Sequence, residues 1–210
     1  MLENTNFGFV PSTIDGTEWV FGNANMQQEL PKKYSYRPFL PTVINQGSLS
    51  ICVPCSCSSY LNWKENLKTG SNEDNKIALM DIYDIKTNAG EGMSFKDAFH
   101  YLRHHGVRYD KGVIGIKSYA MVMSYVLLKY AIVMNGPCFG ALPVYSDDCD
   151  FWKKKAGYQL LGYHAISIVG YDEEGFIIRN SWGQSFCDKG YTTIPYEDFN
   201  SFLELWTIMD

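Results

Sequence analysis

The spacing of apolar and polar residues divides the chain into a helical first half and a strand-rich second half. From Cys52 to about Lys68 the sequence runs without a breaker until Thr69-Gly70, which predicts a helix beginning near Cys52. Ser71 to Asn75 is a polar turn, and Ile77 to Ile85 predicts a second, short helix. After a loop over Asn88 to Gly92, Phe95, Ala98, Phe99 and Leu102 recur at the spacing of one helical face. Ser94 can cap that helix with Asp97 three residues on, and Gly106 ends it. Ser118 to Met134 reads as another long helix, stopped by Asn135-Gly136-Pro137. Beyond Pro137 the texture turns to β: Ala165–Tyr171 and Phe176–Arg179 are strands joined by Asp172-Glu173-Glu174-Gly175, and Gly190–Pro195 is a further strand.

Helices followed by strands predict an α+β fold rather than an alternating one. The expected organisation is an N-terminal arm (1–36), a mainly helical lobe (37–115) and a mainly β lobe (116–210). The arm has turn signals at Pro11-Ser12, Asp15-Gly16 and Gly22-Asn23, but its Phe7, Phe9, Trp19, Val20 and Phe21 would anchor it on the body. It either packs and closes the fold or covers a cleft and restrains activity. At 46% hydrophobic, with 15 Tyr, 12 Phe and 5 Trp, the chain can bury a sizeable core. A net charge of -5 gives no reason to expect nucleic-acid or membrane-surface binding, and no apolar run approaches a membrane span. The first residues lack the basic start and apolar core of a signal peptide. Three of the six cysteines crowd into Cys52, Cys55 and Cys57, unlike a disulfide framework, so mostly reduced thiols and a cytoplasmic or otherwise intracellular home are expected.

Candidate chemistry lies at three stretches. A loop of small residues, Gln46-Gly47-Ser48-Leu49-Ser50-Ile51, delivers Cys52 to a helix start, where the partial positive charge and unpaired N–H groups favour thiolate. His164 opens the apolar strand of the β half, and Asn180-Ser181-Trp182-Gly183 follows sixteen residues later. Attack on an amide needs a thiolate, a base, a group that orients the base and donors for the oxyanion. Cys52, His164, Asn180 and Gln46 can fill those places in that order, with Trp182 shielding the His–Asn hydrogen bond from water. Because Cys52 lies in the helical half and His164 in the β half, the site must sit between two lobes.

Together these stretches resemble the papain-like cysteine peptidases, over about Leu40 to Met209. Gln46-Gly47-Ser48 and Cys52 look like the family's oxyanion and nucleophile loop. His164-Ala165 with Val169-Gly170-Tyr171 looks like the histidine strand, and Asn180-Ser181-Trp182-Gly183 with Gly190-Tyr191 like the asparagine motif. Gly90 to Ser94 leading into Asp97-Ala98 is closer to the short bacterial and viral branch, and Leu49 stands where plant and lysosomal members carry a disulfide cysteine. The resemblance implies a two-lobed fold, peptide or protein substrates, hydrolysis through a Cys52 thioester, and no metal or cofactor. It implies a specificity pocket of Gly92, Met93, Ser94, Ala141, Gly162, Tyr163 and Ala165. With apolar walls, no charge in view and a floor expected near Leu203 to Trp206 but not aligned to single residues, that pocket suits a bulky apolar or aromatic side chain.

Val53 replaces the aromatic that usually follows the nucleophile, and Pro54 comes next, tolerated in a first helical turn. Cys55 and Cys57 read as packing residues, with a redox pair or metal use of Cys52-x-x-Cys55 left open. His100, His104 and His105 read as a solvated face. Transamidation by the same residues and a catalytically silent peptide-binding protein also remain open.

Overall fold

The helix that begins at Cys52 is the spine of the structure. In this computed structural model, which describes residues 7–22, 29–85 and 92–210, α1 (Cys52–Thr69) is buried along most of its length. No side chain caps its first turn, and Gly70 closes it in the left-handed conformation. Two helices follow, α2 (Leu79–Tyr83) and α3 (Phe95–His104). The Ser94 hydroxyl accepts from the Asp97 N–H, as the sequence pattern required, and Phe95, Ala98, Phe99 and Leu102 form the buried face of α3.

A short arm strand, β1 (Tyr34–Ser35), precedes the helices, and a small hairpin, β2 (Val107–Tyr109) with β3 (Gly112–Ile114), follows them. The remaining elements are β4 (Ser118–Met121), α4 (Tyr125–Asn135), β5 (Cys138–Val144), β6 (Gly162–Tyr171), β7 (Gly175–Arg179), β8 (Tyr191–Pro195) and β9 (Glu204–Met209). The seven-stranded sheet runs β4-β9-β5-β6-β7-β8, with β1 on the far end of β6, and every pairing in it is antiparallel. A register shift between Ile168 and Gly170 frees the Val169 carbonyl, which takes the Tyr36 N–H and so ties the incoming chain to the sheet.

The α+β class is thus as expected, and one helix is not. Ser118–Met121 is a strand paired with β9, and the helix starts only after Ser124, whose hydroxyl accepts from the Leu127 N–H. Only Ala120 of Ser118–Met121 is buried, so the short strand carries no alternation to set it apart from the apolar run behind it. The Ile77–Ile85 helix shortens to α2, and the β2–β3 hairpin went unread. The Gly22-Asn23 turn and most of the 88–92 loop lie outside the described residues.

The lobes share one core. The Phe139 ring on β5 lies 5.9 Å from Tyr60 on α1, and 5.7 and 4.9 Å from Phe95 and Phe99 on α3. Aromatic contacts across such a seam add to the area they bury. Phe139→Ala should therefore lower stability by about 3–5 kcal/mol, read from the denaturation midpoint; a loss within experimental error would mean that the seam is not load-sharing.

Candidate active site

Residues 44–46 are laced to residues 181–183. The Gln46 N–H donates to the Ser181 carbonyl at 2.8 Å, the Gly183 N–H donates to the Ile44 carbonyl at 3.0 Å, and Asn45 pairs with Trp182 as an isolated bridge. The Ser181 hydroxyl donates to Gln46 Oε1. Gln46 Nε2 then spends one N–H on the Leu49 carbonyl at 2.8 Å, which leaves its second for a ligand.

Arg179, unread from the sequence, supports this lacing from below. It is 3% exposed, and its guanidinium donates to the carbonyls of Pro41 and Thr42, the Ser59 hydroxyl and the Tyr191 hydroxyl. One cation thereby joins the loop before the cysteine, α1 and two strands. An arginine ending the apolar run Phe176-Ile177-Ile178 was the only signal of it.

Cys52 is the first residue of α1 and is fully buried. Its sulfur lies against the backbone N–H of Ala165, the residue after His164, so α1 sets Cys52 on the histidine strand β6, without a hydrogen bond from the thiol to the ring. His164 Nε2 meets Asn180 Oδ1 at 2.7 Å, and its Nδ1 has no hydrogen-bond partner. Asn180 Oδ1 also accepts from the Ser181 N–H. Trp182 stacks on the His164 ring at 4.8 Å, and Phe151 and Phe186 pack on Trp182 at 5.0 and 5.1 Å. This aromatic wall keeps water from the His–Asn bond. Burial pushes the Cys52 thiol up to about 12 and the His164 imidazole down to about 4, so both groups are neutral in this state.

The desolvation has a visible cause in the arm. Phe7 sets its ring 6.3 Å from His164 and 6.2 Å from Trp182. Gly8 then passes so close to the cysteine loop that a Cβ there would stand 2.1 Å from the Ser50 carbonyl oxygen. Phe9 runs parallel to Met93: the Met93 N–H donates to the Gly8 carbonyl and the Val10 N–H to the Met93 carbonyl. Gly92, at φ +107, has no room for a Cβ against Gly8 either. Further along, Lys96 holds the Thr13 carbonyl, Asp15 and Glu18, and Trp19 and Phe21 hydrogen-bond to Met121 at the sheet edge.

The predicted pocket residues fall in two groups. Gly92, Met93, Ser94, Ala141 and Ala165 are buried; Gly162 and Tyr163 are partly exposed, and Gly162 lies under Phe7. The expectation of a pocket without charge needs correction. Glu204 stands opposite Ala141 in the β5–β9 pairing, and its carboxylate accepts from the Ser12 N–H of the arm and the Trp206 indole. Residues opposite one another share a face of the sheet, a register the sequence did not reveal.

His100, His104 and His105 are exposed. Among the described residues no group of three or more His, Cys, Asp and Glu is placed to hold a metal ion, and no helix is long and apolar enough to cross a membrane. Mostly reduced thiols hold for Cys52, Cys55, Cys57 and Cys138 but not for Cys149 and Cys187, which form a disulfide. It ties the Phe151 loop to the segment carrying Phe186.

A two-lobed α+β fold with cysteine and histidine meeting across the seam is the architecture of a thiol peptidase. Residues 55–202 match the model of the papain family cysteine proteases, and the chain belongs to that family. The matched span includes His164 and Asn180 and begins three residues after Cys52. Among curated relatives, cathepsin B-like cysteine proteinase 1 of Haemonchus contortus is 32% identical over 88 residues, 38% of this chain and 25% of that protein. An uncharacterized peptidase C1-like protein of Acanthamoeba polyphaga mimivirus is 36% identical over 61 residues, 27% of this chain and 20% of its own. The chain thus covers about a quarter or less of these relatives. Xylellain, a cysteine protease from Xylella fastidiosa, superposes with a TM-score of 0.82 at 20% identity, over 98% of this chain and 96% of its own. Digestive procathepsin L2 from the Tenebrio molitor larval midgut gives 0.77 at 17% identity, over all of this chain and 79% of its own.

Alkylation of the denatured chain should label four thiols before reduction and six after it. Six labels without reduction would contradict the Cys149–Cys187 bond.

Proposed function

We propose that this protein hydrolyses peptide bonds through a Cys52 thioester, in a site that its own N-terminal arm keeps closed. The observation that carries the reading is Cys52 at the uncapped start of α1, with its sulfur on β6 beside a histidine already oriented by Asn180 and roofed by Trp182. With the arm displaced, His164 takes the thiol proton on Nδ1 and the sulfur attacks the substrate carbonyl. The free N–H of Gln46 and the backbone N–H of Cys52 receive the oxyanion. The imidazolium returns its proton to the departing amine. A water molecule, deprotonated by His164, then releases the acid and restores the thiol. Transamidation would differ only in the group that resolves the thioester, and nothing here favours it.

The cleft supports peptide as substrate because it already binds one in extended form. Residues 7–10 make backbone hydrogen bonds to Met93 from both sides of the chain. With the arm gone, the Glu204 carboxylate loses the Ser12 N–H and is left beside apolar Ala141. We assign the pocket to long side chains, apolar along the stem and basic as well as aromatic at the tip.

Epoxide-type inhibitor labelling, mapped by mass spectrometry, tests the nucleophile. Label at Cys52 is expected, and none in Cys52→Ala; label spread equally over Cys55 and Cys57 would overturn the assignment and favour a silent binding protein. Gly8→Val cannot keep the arm seated, so its labelling rate should rise at least about tenfold over wild type, since apparent reactivity scales with the open fraction. An unchanged rate in that variant would show that the arm does not restrain the site.

Acid should open the cleft, and the sign follows from His164. Its imidazole lies below its ordinary 6.5 when buried, at about 4, so the closed form resists protonation. The advantage of closure is full above pH 6.5 and is lost as pH falls toward 4, by about 3 kcal/mol in all if the open ring recovers its ordinary value. Protease susceptibility of the arm should therefore rise steadily between pH 6.5 and 4; a flat profile would mean that His164 stays buried when the arm moves.

A further inference from the structure

We propose that Cys52 and Cys55 form a reversible disulfide that protects the nucleophile from irreversible oxidation. The inference rests on Cys52 being the reactive thiol and adds a partner for it. Cys52-Val53-Pro54-Cys55 occupies the first turn of α1, with both sulfurs reduced. Three residues of helix separate their Cα atoms by about 5 Å, within the 4.4–6.8 Å that a disulfide spans. The Cβ bonds tilt toward the helix N-terminus, so Cys55 leans back toward Cys52. Cys57 is five residues on, well over a third of a turn out of line, and lacks this geometry. Pro54 sits where a missing N–H costs nothing, so the turn keeps the spacing without strain from its ring.

A second observation singles out Cys55. It lines a small, partly open cavity of about 10 Å³ with Ser56, Ser59, Ser167 and Arg179. Arg179 is buried, and its hydrogen-bond partners are carbonyls and hydroxyls, with no carboxylate among them. A buried cation of this kind favours an anion beside it. Burial pushes the Cys55 thiol up, and the Arg179 charge acts in the opposite direction. Cys55 is thus a buried thiol beside a cation whose charge partly offsets the cost of burial when its sulfur attacks a neighbouring one.

The chemistry balances with a hydroperoxide as oxidant. The Cys52 thiolate takes the distal oxygen of ROOH, giving Cys52 sulfenic acid and, with one proton, ROH. The Cys55 sulfur then attacks the Cys52 sulfur; the S–O bond breaks, hydroxide leaves, takes the Cys55 proton and departs as water. Two equivalents of an external thiol return both cysteines to the reduced form and are themselves joined as a disulfide. Without a resolving thiol, a second hydroperoxide carries the sulfenic acid to sulfinic acid, which thiols do not reverse.

The test uses full-length wild type and the full-length variants Cys55→Ser, Cys57→Ser and Gly8→Val, treated with hydrogen peroxide and then with dithiothreitol. Epoxide labelling at Cys52 is read before and after each step, and peptides are mapped by mass spectrometry. In wild type, Cys57→Ser and Gly8→Val, peroxide should suppress labelling by about tenfold or more, with a Cys52–Cys55 cross-link, and dithiothreitol should restore it. In Cys55→Ser the suppression should persist, with Cys52 as sulfinic acid. Sulfinic acid forming at Cys52 as fast in wild type as in Cys55→Ser, or a cross-link to Cys57, overturns the proposal while leaving the peptidase reading intact. Untreated protein that takes no epoxide at Cys52, even in Gly8→Val, sinks both.

Discussion

The packing of the α1 N-terminus against β6 is the constraint on which the rest of the structure depends. It places an uncapped helix end, a thiol and an imidazole in one spot, and each comes from a different lobe. Nothing local to Cys52 or His164 could hold them there. The seam is held by the Phe139 cluster above and by the Arg179 guanidinium below, one apolar and one polar. The polar half is the more demanding. A buried guanidinium tolerates little movement, because each lost partner leaves a desolvated donor behind. Arg179 therefore fixes the height of the Pro41–Gln46 segment relative to Asn180, and with it the direction of the Gln46 amide.

On the reading proposed above, one physical effect silences the site without disturbing its geometry. The His164–Asn180 bond, the Trp182 roof and the Gln46–Ser181 lacing are all in place beneath the arm. What the arm changes is solvation. With Phe7 against the histidine and Gly8 over the cysteine loop, neither charged form is favoured, and the thiolate–imidazolium pair needs both. Removing the arm then has to supply only water and substrate, since the scaffold is already assembled.

Much of this was legible from residue order, for identifiable reasons. The α1 boundary, the Ser94 cap and the three motifs are local: each is written in consecutive residues, and the chemistry constrains which types may stand there. Ser118–Met121 failed because a four-residue strand running into an apolar helix offers too few periods to separate two from 3.6. Glu204 and Arg179 failed for another reason. Their meaning lies in partners 63 and 120 residues away, the first set by β5–β9 register and the second by a hydrogen bond from the end of β7 to α1. The Cys149–Cys187 bond belongs to the same class, since a 38-residue separation carries no signal until two loops are brought together. The role of the arm fell between the two. Its apolar anchors were visible, but the need for glycine at position 8 appears only when the Ser50 carbonyl is seen pressing against it.

Opening the cleft has a chemical consequence that the closed state hides. While the arm is seated, Cys52 is a neutral, buried thiol, slow to react with substrate and with oxidant alike on the reading proposed above. Whatever restores the thiolate for catalysis also exposes it to hydroperoxides, because both reactions use the same electron pair. A site built only for speed would accept that exposure. This one carries a second free thiol one helical turn on, beside a buried cation, which the proposal above makes the partner of the first once that sulfur is oxidised. The arrangement costs little in the helix, since small cysteines pack there as readily as alanine or serine would.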